Sequence, residues 1–275
     1  MSVYTRPTRL SEALALLARG GQTILAGGTD HYPARVGKPL REDIVDLTAL
    51  RELRGISVRA ADWRIGATTT WTDVLEAKLP PLFDCLKLAA REVGGIQIQN
   101  SGTVAGNLCN ASPAADGVPA LLALDATIEV AGNGGKRTLP LDRFILGPRK
   151  TALAPGELVT AILVRKAEHE AKSDFLKLGA RKYLVISIAM VAIVIEHESG
   201  RVRAARVAVG SCSPVAKRLP ALEQALVGKP LAELSACAQP GHLEPLSAID
   251  DVRGTAAYRN DVALTLLRRS LERLA

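Results

Sequence analysis

Thirteen uncharged residues, YLVISIAMVAIVI at positions 183–195, limit what this chain can become. A run this apolar has to be buried. It falls short of the ~20 residues that span a bilayer. Its Val and Ile content favours strand over helix, so it reads as a buried strand. A chain of 275 residues, 48% hydrophobic and 23% charged, can build a sizeable core around it and is not compositionally disordered.

The rest of the pattern mixes helices and strands without regular βαβ alternation, which favours an α+β fold. Ser11 is placed to cap a short helix carrying Leu10, Leu14 and Leu17 on one face, with Gly20 at its end. Strands are expected over residues 22–26 and 43–47. A hairpin is expected over 56–58 and 63–67, a helix from Thr72, and another over 81–92 that stops at Gly94-Gly95. A loop of small residues follows, then a helix over 116–124. TIEVAGNGGKRTLPL is a hairpin signal around Gly132–Gly135, and residues 157–164 form a strand. The sequence turns polar at 167–172, where a domain boundary is placed. Beyond it come three strands, DFLKLGA, VISIAMVAIVIE and VRAARVAVG, the last two joined by a tight turn at 198–201. Helical segments at 218–227, 231–238 and 255–274 complete the chain.

The formal charge is +7. The densest cationic group, Arg268, Arg269 and Arg273 beside Glu272, reads as a solvated helix face, and aromatics are only 3%, so nucleic-acid binding is disfavoured. An acidic ligand or an acidic partner subunit accounts for the charge as well. Cys85, Cys109, Cys212 and Cys237 form no CxxC pair, which argues against a zinc or iron–sulfur site on this chain. The N-terminus lacks a signal-peptide core. The chain reads as cytoplasmic, with free thiols and no membrane span. His31, His169, His197 and His242 are scattered and suggest no metal site; His31, directly after Asp30 of the glycine bend, could lie near a ligand held there but reads first as a solvated loop residue.

Two glycine-bearing bends carry the chemistry. In ILAGGTD a strand enters a Gly27-Gly28 turn followed by the Thr29 hydroxyl. Successive amides in such a turn can form an anion-binding concavity. By itself the segment reads first as a plain tight turn, and it is neither GxGxxG nor a Walker loop. The second bend is TVAGN, residues 103–107, inside NSGTVAGNLCNASPAADGVPALLALDA. Nine residues past Asn107 stands Asp116, either a helix cap or an acceptor for sugar or ribityl hydroxyls. Two phosphate-sized nests with a nearby acceptor suit a diphosphate dinucleotide better than either bend does alone.

AGGTD, the 100–126 stretch, FLKLGAR and the closing TAAYRNDVALTLLRRSL, in this order, resemble the medium, FAD-binding subunit of the xanthine dehydrogenase and carbon monoxide dehydrogenase family, the molybdenum hydroxylases. The resemblance covers nearly the whole chain. It implies a two-lobed FAD-binding domain of the vanillyl-alcohol-oxidase (PCMH) type over residues 1–167, with lobes of about 1–54 and 55–167. A C-terminal α+β domain, an antiparallel sheet with helices, would occupy 168–275.

The same resemblance implies non-covalent FAD. Leu25, Ala26, Gly27, Gly28, Thr29 and Asp30 would face Thr103, Val104, Ala105, Gly106 and Asn107 across the pyrophosphate. Asp116 would bind the flavin nucleotide and Lys177 would sit at the FAD site. Val159 and Ile186 would lie near the isoalloxazine ring. Ala105 replaces the first of two glycines common in the family, so a negative φ is expected there. Ile186 stands where some relatives carry a tyrosine.

The implied role is electron exit, with no catalytic acid or base of its own. Electrons would come from a small [2Fe–2S] partner subunit and leave to an external acceptor. A large molybdenum–pterin partner would hydroxylate the substrate, in a dimer of heterotrimers. No Cys-rich insertion marks the 4-hydroxybenzoyl-CoA reductase type. A stand-alone FAD-dependent reductase and a nucleotide-binding assembly module without redox activity are the alternatives.

Overall fold

The computed structural model describes residues 2–39 and 41–275. A small parallel sheet opens the chain: Asp43–Asp46 lies between Tyr4–Thr5 and Gln22–Leu25. The helix Leu10–Leu17 covers it, burying Ala13 and Leu17 with Val45, Leu47, Leu50 and Leu53. Ser11 does not cap this helix. The N-cap is Arg9, which makes no side-chain cap bond. The Glu12 carboxylate instead accepts from the Thr8 amide at 3.2 Å, so the first turn is held from inside the helix.

The second sheet has five antiparallel strands ordered Ile56–Val58, Asp62–Gly66, Leu158–Arg165, Thr127–Gly132 and Gly135–Pro140. The expected hairpin is present, with Gly132 opposite Gly135. The register of Leu158–Arg165 shifts between Val159 and Ala161. Such a break re-aims side chains at a strand end, and here it lies beside the cleft described below.

The third sheet pairs Glu170–Leu178, Ala189–Glu198, Arg201–Gly210 and Lys217–Arg218, all antiparallel. Its second strand explains the long apolar run. Met190, Ala192 and Val194 point into a central core shared with the five-stranded sheet and with the helices Asp84–Glu92 and Gly117–Ala123. Ala189, Val191, Ile193 and Ile195 point into a second core closed by the helix Ala256–Arg273. A strand covered on both faces has no polar alternation to display. The Ser199-Gly200 turn after it has φ of 50° and 72°, the left-handed pair of a two-residue hairpin loop.

One expectation is corrected here. The strand begins only at Ala189, and residues 183–188 form a loop exposing Tyr183, Leu184 and Ile186. Leu184 has φ +52°, which breaks an extended run. Its carbonyl accepts from the Arg181 guanidinium at 2.5 Å, so a side chain holds it in place of a neighbouring strand.

Three helices differ in detail. The helix expected from Thr72 spans Trp71–Glu76, capped by a Thr70–Asp73 capping box. Residues 81–92 split into a 3₁₀ turn, Pro81–Phe83, and the helix Asp84–Glu92. The loop of small residues contains two short helices, Ile96–Ser101 and Val104–Asn110. Among the described residues no helix is long and apolar enough to cross a membrane.

Candidate functional site

The strand Gln22–Leu25 delivers the chain into the Gly27-Gly28 bend. A Cβ on Gly27 would lie on the Ser101 carbonyl, 2.6 Å from its carbon. Gly28 has φ +70°, and a Cβ there would meet the Tyr32 ring at 2.8 Å. The Thr29 hydroxyl stands against Gly102. The two bends expected from the sequence are therefore in direct backbone contact.

The second bend is held from the other side. The Trp71 amide donates to the Gly102 carbonyl at 3.2 Å, and the Val104 amide to the Thr69 carbonyl at 3.0 Å. It is not a free turn but the start of the helix Val104–Asn110, with Thr103 as N-cap accepting from the Gly106 amide at 3.0 Å. Ala105, inside the helix, has no positive φ, as its residue type requires.

Both bends open on one cleft of about 800 Å³. Leu25, Ala26, Gly27, Gly28, Thr29 and Asp30 form one wall, and Thr103, Ala105, Gly106 and Asn107 the other, with Val159 and Trp71 between. Along residues 27–31, no backbone amide donates to any acceptor among the described residues. Five consecutive cleft-lining residues whose amides have no acceptor are what an extended polyanion would satisfy. The Asn107 carbonyl oxygen Oδ1, an acceptor that a ligand hydroxyl rather than a phosphate would satisfy, is also buried without a partner. The groups present thus fit the diphosphate of a dinucleotide.

Val104 does not join this wall. Its side chain is buried in the central core and its amide is engaged with Thr69. Asp116 and Lys177 meet each other instead, at 3.1 Å, across the seam between the helix Gly117–Ala123 and the strand Glu170–Leu178. Asp116 occupies the N-cap position yet makes no side-chain cap bond. Its other oxygen accepts from the Ser187 hydroxyl at 2.6 Å. Burial pushes the Asp116 carboxyl above the usual carboxylate range, opposed by the Lys177 ammonium and the Ser187 hydroxyl. The Lys177 ammonium also donates to the Glu92 and Val185 carbonyls, both at 3.4 Å. Ile186, on the 183–188 loop, is 53% exposed.

His31 departs from the expectation of a solvated residue. It lines the cleft, half-buried, with Nε2 shielded and unpartnered. Burial, reinforced by the Arg35 cation, lowers its pKa. Arg35, ion-paired with Glu42, and Arg149, bonded to Asn110, add two cations to the cleft wall. Neither belongs to a motif, and nothing local in the sequence marks them.

This combination defines an α+β protein whose cleft fits a dinucleotide, with a C-terminal antiparallel sheet. Residues 1–165 match the family described as the FAD-binding domain in molybdopterin dehydrogenase, and residues 174–274 match the CO dehydrogenase flavoprotein C-terminal domain.

The chain belongs to the FAD-binding medium subunits of the molybdenum hydroxylases. It is 33% identical to the carbon monoxide dehydrogenase medium chain of Afipia carboxidovorans, over 98% of this chain and 95% of that relative. It is also 33% identical to the xanthine dehydrogenase FAD-binding subunit of Escherichia coli O157:H7, over 83% and 80%. The carbon monoxide dehydrogenase structure from Hydrogenophaga pseudoflava, which lacks the Mo-pyranopterin moiety of its cofactor, superposes with a TM-score of 0.86 at 29% identity, covering 99% of this chain and 96% of that one.

Proposed function

We propose that this chain is the electron-exit subunit of a molybdenum hydroxylase complex. The observation that carries the reading is the backbone contact between the Gly27 and Ser101 bends at one cleft whose 27–31 amides have no acceptor. The 27–31 amides and the Thr29 hydroxyl would hold the FAD pyrophosphate from one side. Thr103, Ala105, Gly106 and Asn107 would hold it from the other. Val159 would pack near the isoalloxazine, and the Asp116–Lys177 pair and Ile186 would meet the flavin from the C-terminal side. When bound, FAD supplies the redox chemistry, taking electrons from a partner [2Fe–2S] subunit and passing them to an external acceptor. The chain's own task is to bind, orient and shield.

On this reading residues 1–167 are the FAD-binding domain, with lobes of about 1–54 and 55–167, and residues 168–275 are the C-terminal domain. One hydrophobic cluster lies wholly within residues 189–274 and another mainly within 13–53, while the central cluster spans the 167/168 boundary. The partners would be a large molybdenum–pterin subunit and a small [2Fe–2S] subunit, assembled as a dimer of heterotrimers. Four free cysteines favour a cytoplasmic setting.

The test is to purify the chain with its co-expressed partners and measure flavin per chain, then molybdenum and iron. Stoichiometric flavin in the wild type and its loss from a folded Gly28→Val variant support the reading. Flavin retained by that variant refutes the nest. Equal flavin reduction by a hydroxylase substrate with and without the partners refutes the electron-exit role.

A further inference from the structure

A second cavity, of about 480 Å³, lies against the strand Glu170–Leu178. Its walls include Leu88 and Arg91 from the helix Asp84–Glu92 and Arg273 from the helix Ala256–Arg273. These helices pack on opposite faces of the four-stranded sheet. Side chains from opposite faces can line one cavity only around the sheet's edge, and Glu170–Leu178 is that edge. The strand is bonded to Ala189–Glu198 on its inner side. Among the described residues, the one other backbone bond to it is from the Ile188 amide to the Leu178 carbonyl, also on the inner side. Among the described residues no backbone bond is made on the outer side, where residues 175–178 line the slot.

Five cations and one carboxylate line this slot: Arg91, Lys177, Arg181, Lys182 and Arg273 against Glu92. Lys177 turns inward to Asp116, and Arg273 lies 3.6 Å from Asp174. Arg91, Arg181 and Lys182 are exposed and pair with no carboxylate among the described residues. Sheet edges are ordinarily blunted by an outward lysine, a proline or a covering element. Here the one lysine in the slot's stretch of strand points away from the edge, and the flanking helices leave a gap.

We propose that this slot docks an extended acidic segment of a partner polypeptide, which adds a strand to the open edge. Main-chain hydrogen bonds would supply affinity, and Arg91, Arg181 and Lys182, which have no carboxylate partner among the described residues, would select acidic side chains. Residues 175–179 offer about 17 Å of edge at ~3.4 Å per residue, enough for a five-residue segment. No residue lines both cavities, and Lys177, which the proposed function assigns to the flavin, is not among the cations that select the segment.

The test uses the full chain, a fluorescein-labelled peptide of alternating Glu and Val, and its Lys–Val counterpart. The acidic peptide should bind with salt-sensitive affinity and slow hydrogen exchange over residues 170–178. The double variant Arg91→Glu/Lys182→Glu should weaken binding by at least about tenfold with flavin content unchanged. The same exchange protection should appear in the complex with co-purified partners. Equal binding of both peptides overturns the proposal, as does unaltered exchange at 170–178 in both the peptide-bound chain and the complex. A concentration-dependent homodimer abolished by the double variant would assign the edge to a second copy of this chain and overturn it too.

Discussion

Gly27 and Ser101 touch through their backbones: a Cβ on Gly27 would stand 2.6 Å from the Ser101 carbonyl carbon and 2.9 Å from the Gly102 Cα. Both neighbours are main chain, and Ser101 closes a helix, so neither can rotate aside. Gly27→Ala therefore has to push the two bends apart. Overpacking of this kind costs about 1–3 kcal/mol, which a domain of this size survives. We expect a folded chain, by circular dichroism, with flavin absorbance per chain reduced at least about tenfold, since separated bends lose the shared clasp. Wild-type flavin content would show that the contact is packing alone.

Lys177 is the compensating charge for Asp116. Lys177→Met leaves that carboxylate buried with one hydroxyl partner, and breaking a buried pair this way costs ~3–5 kcal/mol. The double variant Lys177→Met/Asp116→Leu should recover much of the loss in urea unfolding. The single variant also carries a pH signature. Burial already raises the folded-state pKa of Asp116, and losing the cation raises it further, so the folded state binds the proton more tightly than the unfolded chain. The penalty is full above the folded pKa, shrinks as pH falls through it, and is gone below the unfolded value. Lys177→Met should thus gain stability relative to wild type on acidification.

How much of this was legible beforehand depended on range. Ser199-Gly200 and the Gly132–Gly135 segment announce their hairpins locally, and Gly27-Gly28 marks a bend for the same reason. Thr103 as a helix cap was obscured because TVAGN is equally good turn chemistry. The start of the Ala189–Glu198 strand was hidden because VIS is as apolar as the strand it precedes; the positive φ of Leu184 and tertiary bonds from Arg181, Lys177 and Arg259 to the 184, 185 and 188 carbonyls detach it. Asp116 and Lys177, 61 residues apart, could be named from resemblance, but their pairing is a property of the packed seam. Arg35 and Arg149 reach the cleft through tertiary geometry alone, whereas His31 follows directly on the glycine bend.

His31 gives a second pH test of opposite sign. Its folded pKa lies below the usual value of ~6.5, chiefly through burial and then through Arg35, with Glu42 opposing. The folded state holds the proton less tightly than the unfolded chain. The stability contribution is therefore complete above ~6.5 and falls away as pH drops towards the folded value. Urea unfolding between about pH 7.5 and 5 should show this decline in wild type and a flatter profile in His31→Gln. Identical profiles would mean that His31 titrates as it does in water.

Arg259 ties the C-terminal helix to the root of the 183–188 loop. It is 3% exposed, and one guanidinium nitrogen donates to the carbonyls of Ile188, at 2.5 Å, and Ser211, at 3.0 Å. The other donates to Asp251 at 2.7 Å. Ile188 follows Ser187, whose hydroxyl bonds Asp116, so the Arg259 fork and that hydroxyl anchor adjacent residues. Arg259→Met leaves the Ile188 and Ser211 carbonyls without this donor, at ~1–3 kcal/mol for each that stays buried, while Asp251 keeps its bonds to Arg253. Arg259→Lys keeps the charge but cannot reproduce the fork, and should be intermediate. The readout that separates anchoring from general destabilisation is local. Arg181 and Lys182 are exposed and flank the loop, so trypsin under native conditions should cut there faster in Arg259→Met than in a core variant such as Leu267→Ala matched for global stability. Equal cleavage in the two would mean that Arg259 stabilises the helix without governing the loop.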